Sequence, residues 1–293
     1  MKQQKQSKTE TTLNIQFTDI LTCPVCKKSF GRTGNSLLCH GEGKRHCFDI
    51  ARSGHVNLLC SHSGSGDDKA CADSRTAFLE KDFYRPFSDE INGLLKKYGV
   101  KRLLDAGCGE GYYTHRAANV CQSTLGIDLS KFAIETAAKR AKREGKANEL
   151  YAVAGIFDIP AADNSFDGII NLFAPCCEEE FSRILKKDGI LIIGAAGKDH
   201  LLGLKEAMYE TVYQNEPRGD LPNTMKLIEK KTVAFDIVLE NQNDIQNLFA
   251  MTPYFYRTSK EDKEKLGRLK SLKTKVEFDI FVYRNTMKGG MNA

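Results

Sequence analysis

No run of eighteen apolar residues occurs in the 293 positions, so no membrane-spanning helix is expected, since about 20 such residues are needed to cross the hydrocarbon core. The start of the chain also lacks an apolar core. Met1 to Thr12 is rich in Lys, Gln, Ser and Thr, which reads as a solvated tail over residues 1–20 and not as a secretory leader. Charge of one sign is scarce too: 43 basic side chains face 38 acidic ones, for a net +5. That excess is compatible with a polyanionic partner and does not demand one. There is no internal repeat. Without a leader, the ten cysteines imply a reducing cytoplasm, where clustered thiols serve as metal ligands more often than as disulfides.

The most informative stretch is Leu103-Leu104-Asp105-Ala106-Gly107-Cys108-Gly109-Glu110-Gly111-Tyr112. It reads as a buried strand breaking into a glycine turn that opens a helix, where the backbone can approach a ligand closely. A dinucleotide turn places pyrophosphate on the helix N-terminus, but Glu110 would repel it. A carboxylate there suits a cationic, ribose-bearing ligand without phosphate, a description that fits S-adenosylmethionine. Ser123 to Asp128 reads as the next strand. It ends in an acid about twenty residues after the turn, the usual position of a ribose-hydroxyl acceptor.

Near the front, Cys23-Pro24-Val25-Cys26 is followed after twelve residues by Cys39 and after six more by His46. Two thiolates from one turn and two ligands from a second can close a tetrahedral, structural zinc site. Spacing favours His46 as the fourth ligand over Cys47 and over His40, which directly follows Cys39. A redox C-x-x-C is disfavoured because no βαβ pattern adjoins it. A module of some forty residues with little core needs such a staple. Between Leu21 and Cys60, Lys27, Lys28, Arg32, Lys44, Arg45 and Arg52 outnumber Glu42 and Asp49, a charge pattern that suits a nucleic-acid grip as well as a solvated face.

The polar, glycine-rich run Ser61 to Asp68 marks a linker, placed at residues 61–73, so the units expected are a module over 21–60 and a larger domain over 74–293. In the larger domain, two helices broken near Arg85-Pro86 should fill Ser74 to Tyr98. Strands follow near 102–106, 123–128, 149–153, 166–172 and 190–195, with helices near 112–120, 131–144 and 179–185, the pattern of a parallel sheet covered on both faces. Lys187-Asp188-Gly189 reads as a turn before the fifth strand and His200 to Asn215 as a helix. Strand-like runs at 232–238 and 275–283, with helical spacing at 243–251 between them, add an antiparallel pair at the sheet edge.

These phrases together resemble a known family. The cluster Cys23/Cys26/Cys39/His46, Cys47-Phe48-Asp49, Gly54-His55-Val56-Asn57-Leu58-Leu59, the run from Asp105 to His115, Phe173-Ala174-Pro175-Cys176, Gly197-Lys198-Asp199-His200-Leu201 and Met251-Thr252-Pro253 are similar to the 23S rRNA (guanine-N1)-methyltransferases of RlmA or RrmA type. The likeness spans most of the chain. It implies an α/β, Rossmann-like class I S-adenosylmethionine-dependent methyltransferase domain with an N-terminal zinc-binding module. The activity implied is methyl transfer to N1 of a guanine in a 23S rRNA hairpin near the peptide tunnel, which in some Gram-positive bacteria contributes to tylosin resistance. A two-fold assembly is also implied. Carried over by position, the resemblance adds Tyr84, Gly109, Glu110 and His200 as cofactor contacts, beside Asp105, Gly107, Gly111, Tyr112 and Asp128 from the turn and second strand.

The acceptor side is expected at the end of the fourth strand, around Asn171 to Pro175, since ligands gather at the carboxyl ends of parallel strands. Phe173 there could stack on an extruded base. The residues by themselves leave other functions open: a small-molecule methyltransferase with a structural zinc module, cytosine-C5 chemistry through Cys176 of the Pro175-Cys176 pair, and a catalytically silent RNA-binding protein.

Overall fold

Strands and helices alternate through most of the larger domain because short apolar runs are followed by segments with one apolar face, and sheet and helix bury those faces against each other. The structure, a computed structural model, describes Phe17, residues 19–60 and residues 69–286. Strands β1 (Phe30–Thr33), β2 (Ser36–Cys39) and β3 (Cys47–Asp49) form a small antiparallel sheet. After β4 (Val56–Asn57) come helices α1 (Lys69–Leu79) and α2 (Arg85–Lys97), with Pro86 in the first turn of α2, where its missing N–H costs nothing. The larger domain continues through β5 (Arg102–Ala106), α3 (Tyr112–Ala117), β6 (Ser123–Asp128), α4 (Lys131–Arg143), β7 (Glu149–Val153), β8 (Phe166–Leu172), α5 (Glu178–Ile184) and β9 (Leu185–Ala196). It closes with α6 (Leu202–Met208), β10 (Lys226–Leu239), α7 (Gln242–Ala250), α8 (Lys260–Gly267) and β11 (Leu272–Arg284).

The large sheet runs β10-β11-β9-β8-β5-β6-β7-β4. Strands β5 to β9 are parallel, and β11 enters antiparallel between β9 and β10. The chain leaves β5 toward β6 and β7, then returns to β8 on the other side of β5. The crevice outside the carboxyl ends of β5 and β8 is therefore the switch point where ligands collect. Helix α4 shows how the sequence builds a cover: the Ser130 hydroxyl caps it by accepting from Ala133 N, and Ala133, Ile134, Ala137, Ala138 and Ala141 lie buried, an i, i+4 stripe of small side chains that lets the helix lie close to the sheet.

Several expected boundaries move. The tail ends earlier than residue 20, because Phe17 and Ile20 are only 1% and 2% exposed, in one core with Leu104, Ile127 and Ala152 of the large sheet. Residues 69–73 of the expected linker are helical in α1, while Ser61 to Asp68 lies outside the described residues. The module is also less separate than its sequence suggests: β4 pairs in parallel with β7, Leu21 bridges Ala161, and Thr22 N donates to Pro160 O at 3.0 Å. The helix expected over 200–215 is confined to Leu202–Met208, since the backbone beyond is bonded elsewhere: Tyr213 O accepts from Lys205 Nζ at 3.0 Å, and Asn215 N donates to Lys198 O at 2.9 Å. The turn at Lys187-Asp188-Gly189 falls inside β9, where Asp188 takes φ 64° beside a register slip between Phe166 and Gly168. The helix expected over 112–120 ends at Ala117.

Candidate active site and metal centre

The β5 strand delivers the chain to the switch point, and the glycine turn then folds back on β6. Gly107, Gly109 and Gly111 all have positive φ, at 85°, 55° and 76°. Gly107 has a second constraint: a Cβ there would lie 2.5 Å from Ala174 Cβ, so the turn and the loop after β8 touch only because the side chain is absent. The amides of Gly107 and Cys108 both donate to Ile127 O at 2.9 Å. Asp128 completes the link, its Oδ2 accepting from Gly109 N at 2.9 Å and its Oδ1 from Ser130 N at 2.7 Å. The expected second-strand acid thus stands beside the glycine turn, held by backbone donors.

The turn concentrates negative charge in a buried place. Burial is the main reason that the Asp105 carboxyl is pushed up to about 7, with Asp128 and Glu110 adding to it and a 2.6 Å hydrogen bond from Thr114 Oγ1 opposing. Glu110, only 2% exposed, is raised by burial too, against the pull of Arg75 and Arg140. Its Oε2 is buried and has no hydrogen-bond partner, as do the hydroxyls of Tyr84 and Tyr113. Unpaired buried polar atoms cost free energy unless something else meets them. Ribose hydroxyls and a cationic centre are suited to a lone carboxylate oxygen, so this donor set fits S-adenosylmethionine.

The Asp105 shift has a testable sign. A carboxyl with a higher pKa in the folded than in the unfolded chain favours the fold below its ordinary value near 3.8, and that contribution is lost as pH rises through 7. Asp105→Asn removes the loss and keeps an oxygen for Thr114. The variant should therefore gain on the wild type by about 3 kcal/mol between pH 5 and pH 8, at 1.36 kcal/mol per pKa unit. Urea midpoints at the two pH values check it; an equal difference at both would refute the shifted carboxyl.

Around the turn stands a nest of rings. Phe278 of β11 lies 5.0 Å from Tyr84, 4.4 Å from Phe87, 5.0 Å from Phe173 and 4.6 Å from His200, centroid to centroid. It thereby joins the expected donor residues Tyr84 and His200 to the expected acceptor residue Phe173. Tyr112 begins α3 and donates from its hydroxyl to Asp82 at 3.1 Å. Burial lowers the His200 imidazole to about 4, and its Nδ1 accepts from Glu277 N at 3.3 Å. At neutral pH the ring is neutral with its proton on Nε2. Phe173 has φ 60° and remains 46% exposed at the end of β8. Sequence reading missed Phe278, whose only signal was its place in the β11 alternation, and Arg218, which lies in a segment with no pattern at all.

At the front, the ligand atoms of Cys23, Cys26, Cys39 and His46 lie within 4.8 Å of one another. Cys23 and Cys26 sit on a tight turn closed by Lys27 N donating to Cys23 O at 2.8 Å, with Lys27 at φ 57°. Cys39 ends β2 and meets the loop leading to β3: Cys39 N donates to His46 O at 3.0 Å, and His46 N donates to Cys39 Sγ at 3.1 Å. That amide is the main reason the Cys39 thiol is held down at about 6. His46 presents Nδ1, 3.5 Å and 3.6 Å from the sulfurs of Cys39 and Cys23. The other two candidates for the fourth position lie elsewhere: the His40 ring packs against Gly31, and Cys47 is exposed. Three thiols and one imidazole at such distances fit a closed zinc site.

Comparison with known proteins agrees with both halves. Residues 99–252 match a methyltransferase domain family, and residues 21–63 match the zinc ribbon described as RlmA, N-terminal. YxjB of Bacillus subtilis, assigned to 23S rRNA (guanine-N1) methylation, is 30% identical over 279 residues, covering 89% of this chain and 95% of its own. The 23S rRNA (guanine(748)-N1)-methyltransferase of Streptomyces fradiae is 29% identical, over 64% of this chain and 67% of its own. Glycine turn, strand-end acid and four-ligand zinc ribbon thus occur together in a chain that belongs to the 23S rRNA (guanine-N1)-methyltransferase family.

Proposed function

We propose that the chain transfers a methyl group from S-adenosylmethionine to N1 of a guanine in a hairpin of 23S rRNA, acting in the cytoplasm. The observation that carries this reading is the fusion of the zinc ribbon to the catalytic sheet through β4 and β7, which fastens a basic module to the edge of the sheet that carries the glycine turn. The residues proposed to hold the donor are Tyr84, Asp105, Gly107, Gly109, Glu110, Gly111, Tyr112, Asp128 and His200. When bound, the donor supplies an activated methyl group on a sulfonium. Glu110 and Asp128 offer carboxylate oxygens for hydroxyls, and the Tyr84 ring offers a cation–π face. Phe173 offers a stacking surface for an extruded base. His200 uses its Nδ1 lone pair to accept from Glu277 N, so that nitrogen is not the group that takes the N1 proton. The module over 21–60 grips the RNA through its lysines and arginines, and the catalytic unit, which begins with α1 at Lys69, completes the reading, as does a two-fold assembly of such chains.

Labelled donor incubated with either undermethylated rRNA or a metabolite extract tests the substrate class. Label at guanine N1 of the rRNA, mapped by mass spectrometry, is expected; label confined to metabolites would overturn the assignment. Covalent chemistry through Cys176 is disfavoured because burial raises its thiol to about 11, leaving little thiolate at neutral pH. Cys176→Ala is therefore expected to keep methylation within about two-fold, whereas a nucleophile's removal would cost orders of magnitude.

A further inference from the structure

The segment from 209 to 225, between α6 and β10, has no regular structure, yet its side chains fasten it across the carboxyl ends of β8 and β9. Asn215 Nδ2 donates to Gly197 O at 2.8 Å and to His200 O at 3.3 Å, and its Oδ1 accepts from Lys205 Nζ at 2.7 Å and the Tyr254 hydroxyl at 3.0 Å. Three residues on, Arg218 Nη2 donates to Ala174 O at 2.7 Å, to Asn171 Oδ1 at 3.1 Å and to Asp220 Oδ2 at 3.0 Å, while Nη1 reaches Gly194 O at 3.4 Å. Asp220 Oδ2 in turn accepts from Cys176 N at 2.9 Å. The strap ends where Glu178 accepts from the amides of Asn223, Thr224 and Met225 at 2.9, 2.7 and 3.1 Å.

Asn171 shows what this fastening controls. It is fully buried, and its Nδ2 donates to Ala106 O at 2.9 Å and to Pro175 O at 3.0 Å. Ala106 is the residue before the glycine turn. One guanidinium, 10% exposed, therefore ties together the turn that receives the donor and the 173–176 loop that faces the acceptor. The loop needs such a tie: Phe173 is held at φ 60°, a conformation that side chains other than glycine adopt only when their surroundings impose it.

Resting on the rRNA methyltransferase reading above, we propose that Arg218 is the positioning residue for the methyl acceptor, holding the Phe173–Cys176 loop so that the Phe173 ring faces the base. Its planar fork satisfies oxygens from β8, β9 and Asp220 at once, which a lysine cannot do. Alignment of reacting atoms is sensitive to shifts of about 1 Å, which can cost about 100-fold in rate.

The test uses the full-length, zinc-loaded chain carrying Arg218→Ala or Arg218→Lys, with undermethylated rRNA and saturating donor. Both variants are expected to lose about 100-fold in kcat while S-adenosylhomocysteine affinity stays within about two-fold. Added guanidinium ion should restore part of the Arg218→Ala rate, and amide exchange over 173–177 should accelerate. Arg218→Lys keeps charge and bulk, so it decides the matter if the alanine variant does not fold. Wild-type kcat, unchanged amide exchange, or a loss of S-adenosylhomocysteine affinity equal to the rate loss would each overturn the proposal. If the wild-type chain leaves rRNA unmethylated, the functional reading fails, and the exchange measurement still reports whether Arg218 holds the loop.

Discussion

Zinc-free protein is expected to lose the folded ribbon, with a fall in thermal stability that reaches the large sheet. Structural zinc in small modules contributes about 10–16 kcal/mol of apparent binding free energy at neutral pH, and here the ribbon has no separate core to fall back on. Phe30, Leu37 and Ile50 pack in the same cluster as Leu104, Ile127 and Ala152. Losing the four-ligand centre exposes those ribbon residues and loosens the two-residue strand β4 at the sheet edge. Cys39→Ser should do the same, since a hydroxyl replaces a thiolate ligand. Metal analysis should find about one zinc per wild-type chain and none in the variant. Melting should drop by more than ten degrees, and rRNA affinity should fall at least about ten-fold with the basic module gone. An apo protein that melts and binds rRNA like the metal-loaded one would sink the structural-zinc assignment.

Gly107→Ala is expected to do comparable harm to activity with a single methyl group. At φ 85° an L-residue is strained by about 1–2 kcal/mol, and the new Cβ would meet Ala174 Cβ at 2.5 Å. Two methyl carbons need roughly 3.5–4 Å, so the 174 loop must move, and both the donor turn and Phe173 shift with it. The expected result is a loss of at least 100-fold in kcat/KM, weaker S-adenosylhomocysteine binding by calorimetry, and about 2–4 kcal/mol of stability. Gly145→Ala is the control. Gly145 also has positive φ, at 66°, but a Cβ there meets nothing within 4 Å, so only the strain should appear and activity should remain. Adding Ala174→Gly to Gly107→Ala removes the clash and should recover part of the rate; no recovery would mean that the close approach is not what the glycine serves.

The parts of the site legible in the sequence were those whose chemistry is local. A strand, a glycine turn and a helix must be consecutive to make the donor cradle, so Asp105 to Tyr112 announced themselves, and Asp128 followed at a spacing set by one βαβ step. Cysteine spacing pointed to the ribbon in the same way and favoured His46 over Cys47 and His40 for the fourth position. The fold adds the geometry that spacing lacks: the β2–β3 hairpin turns His46 Nδ1 toward the sulfurs and leaves the His40 ring against Gly31.

What local pattern decided was the order of elements, the sheet class and the two ligand-bearing motifs, because propensity, periodicity and turn chemistry act over a few residues. What tertiary structure alone decided depends on contacts between distant segments. Val56–Asn57 joins the large sheet at β7, nearly a hundred residues away. The 209–225 strap has no periodicity to read, since Asn215, Arg218 and Glu178 pin its path with hydrogen bonds from other elements. Phe278 gathers Tyr84, His200 and Phe173 because β11 enters the sheet beside β9. Such placements minimise the free energy of the whole molecule, and no window of the chain contains the partners that determine them.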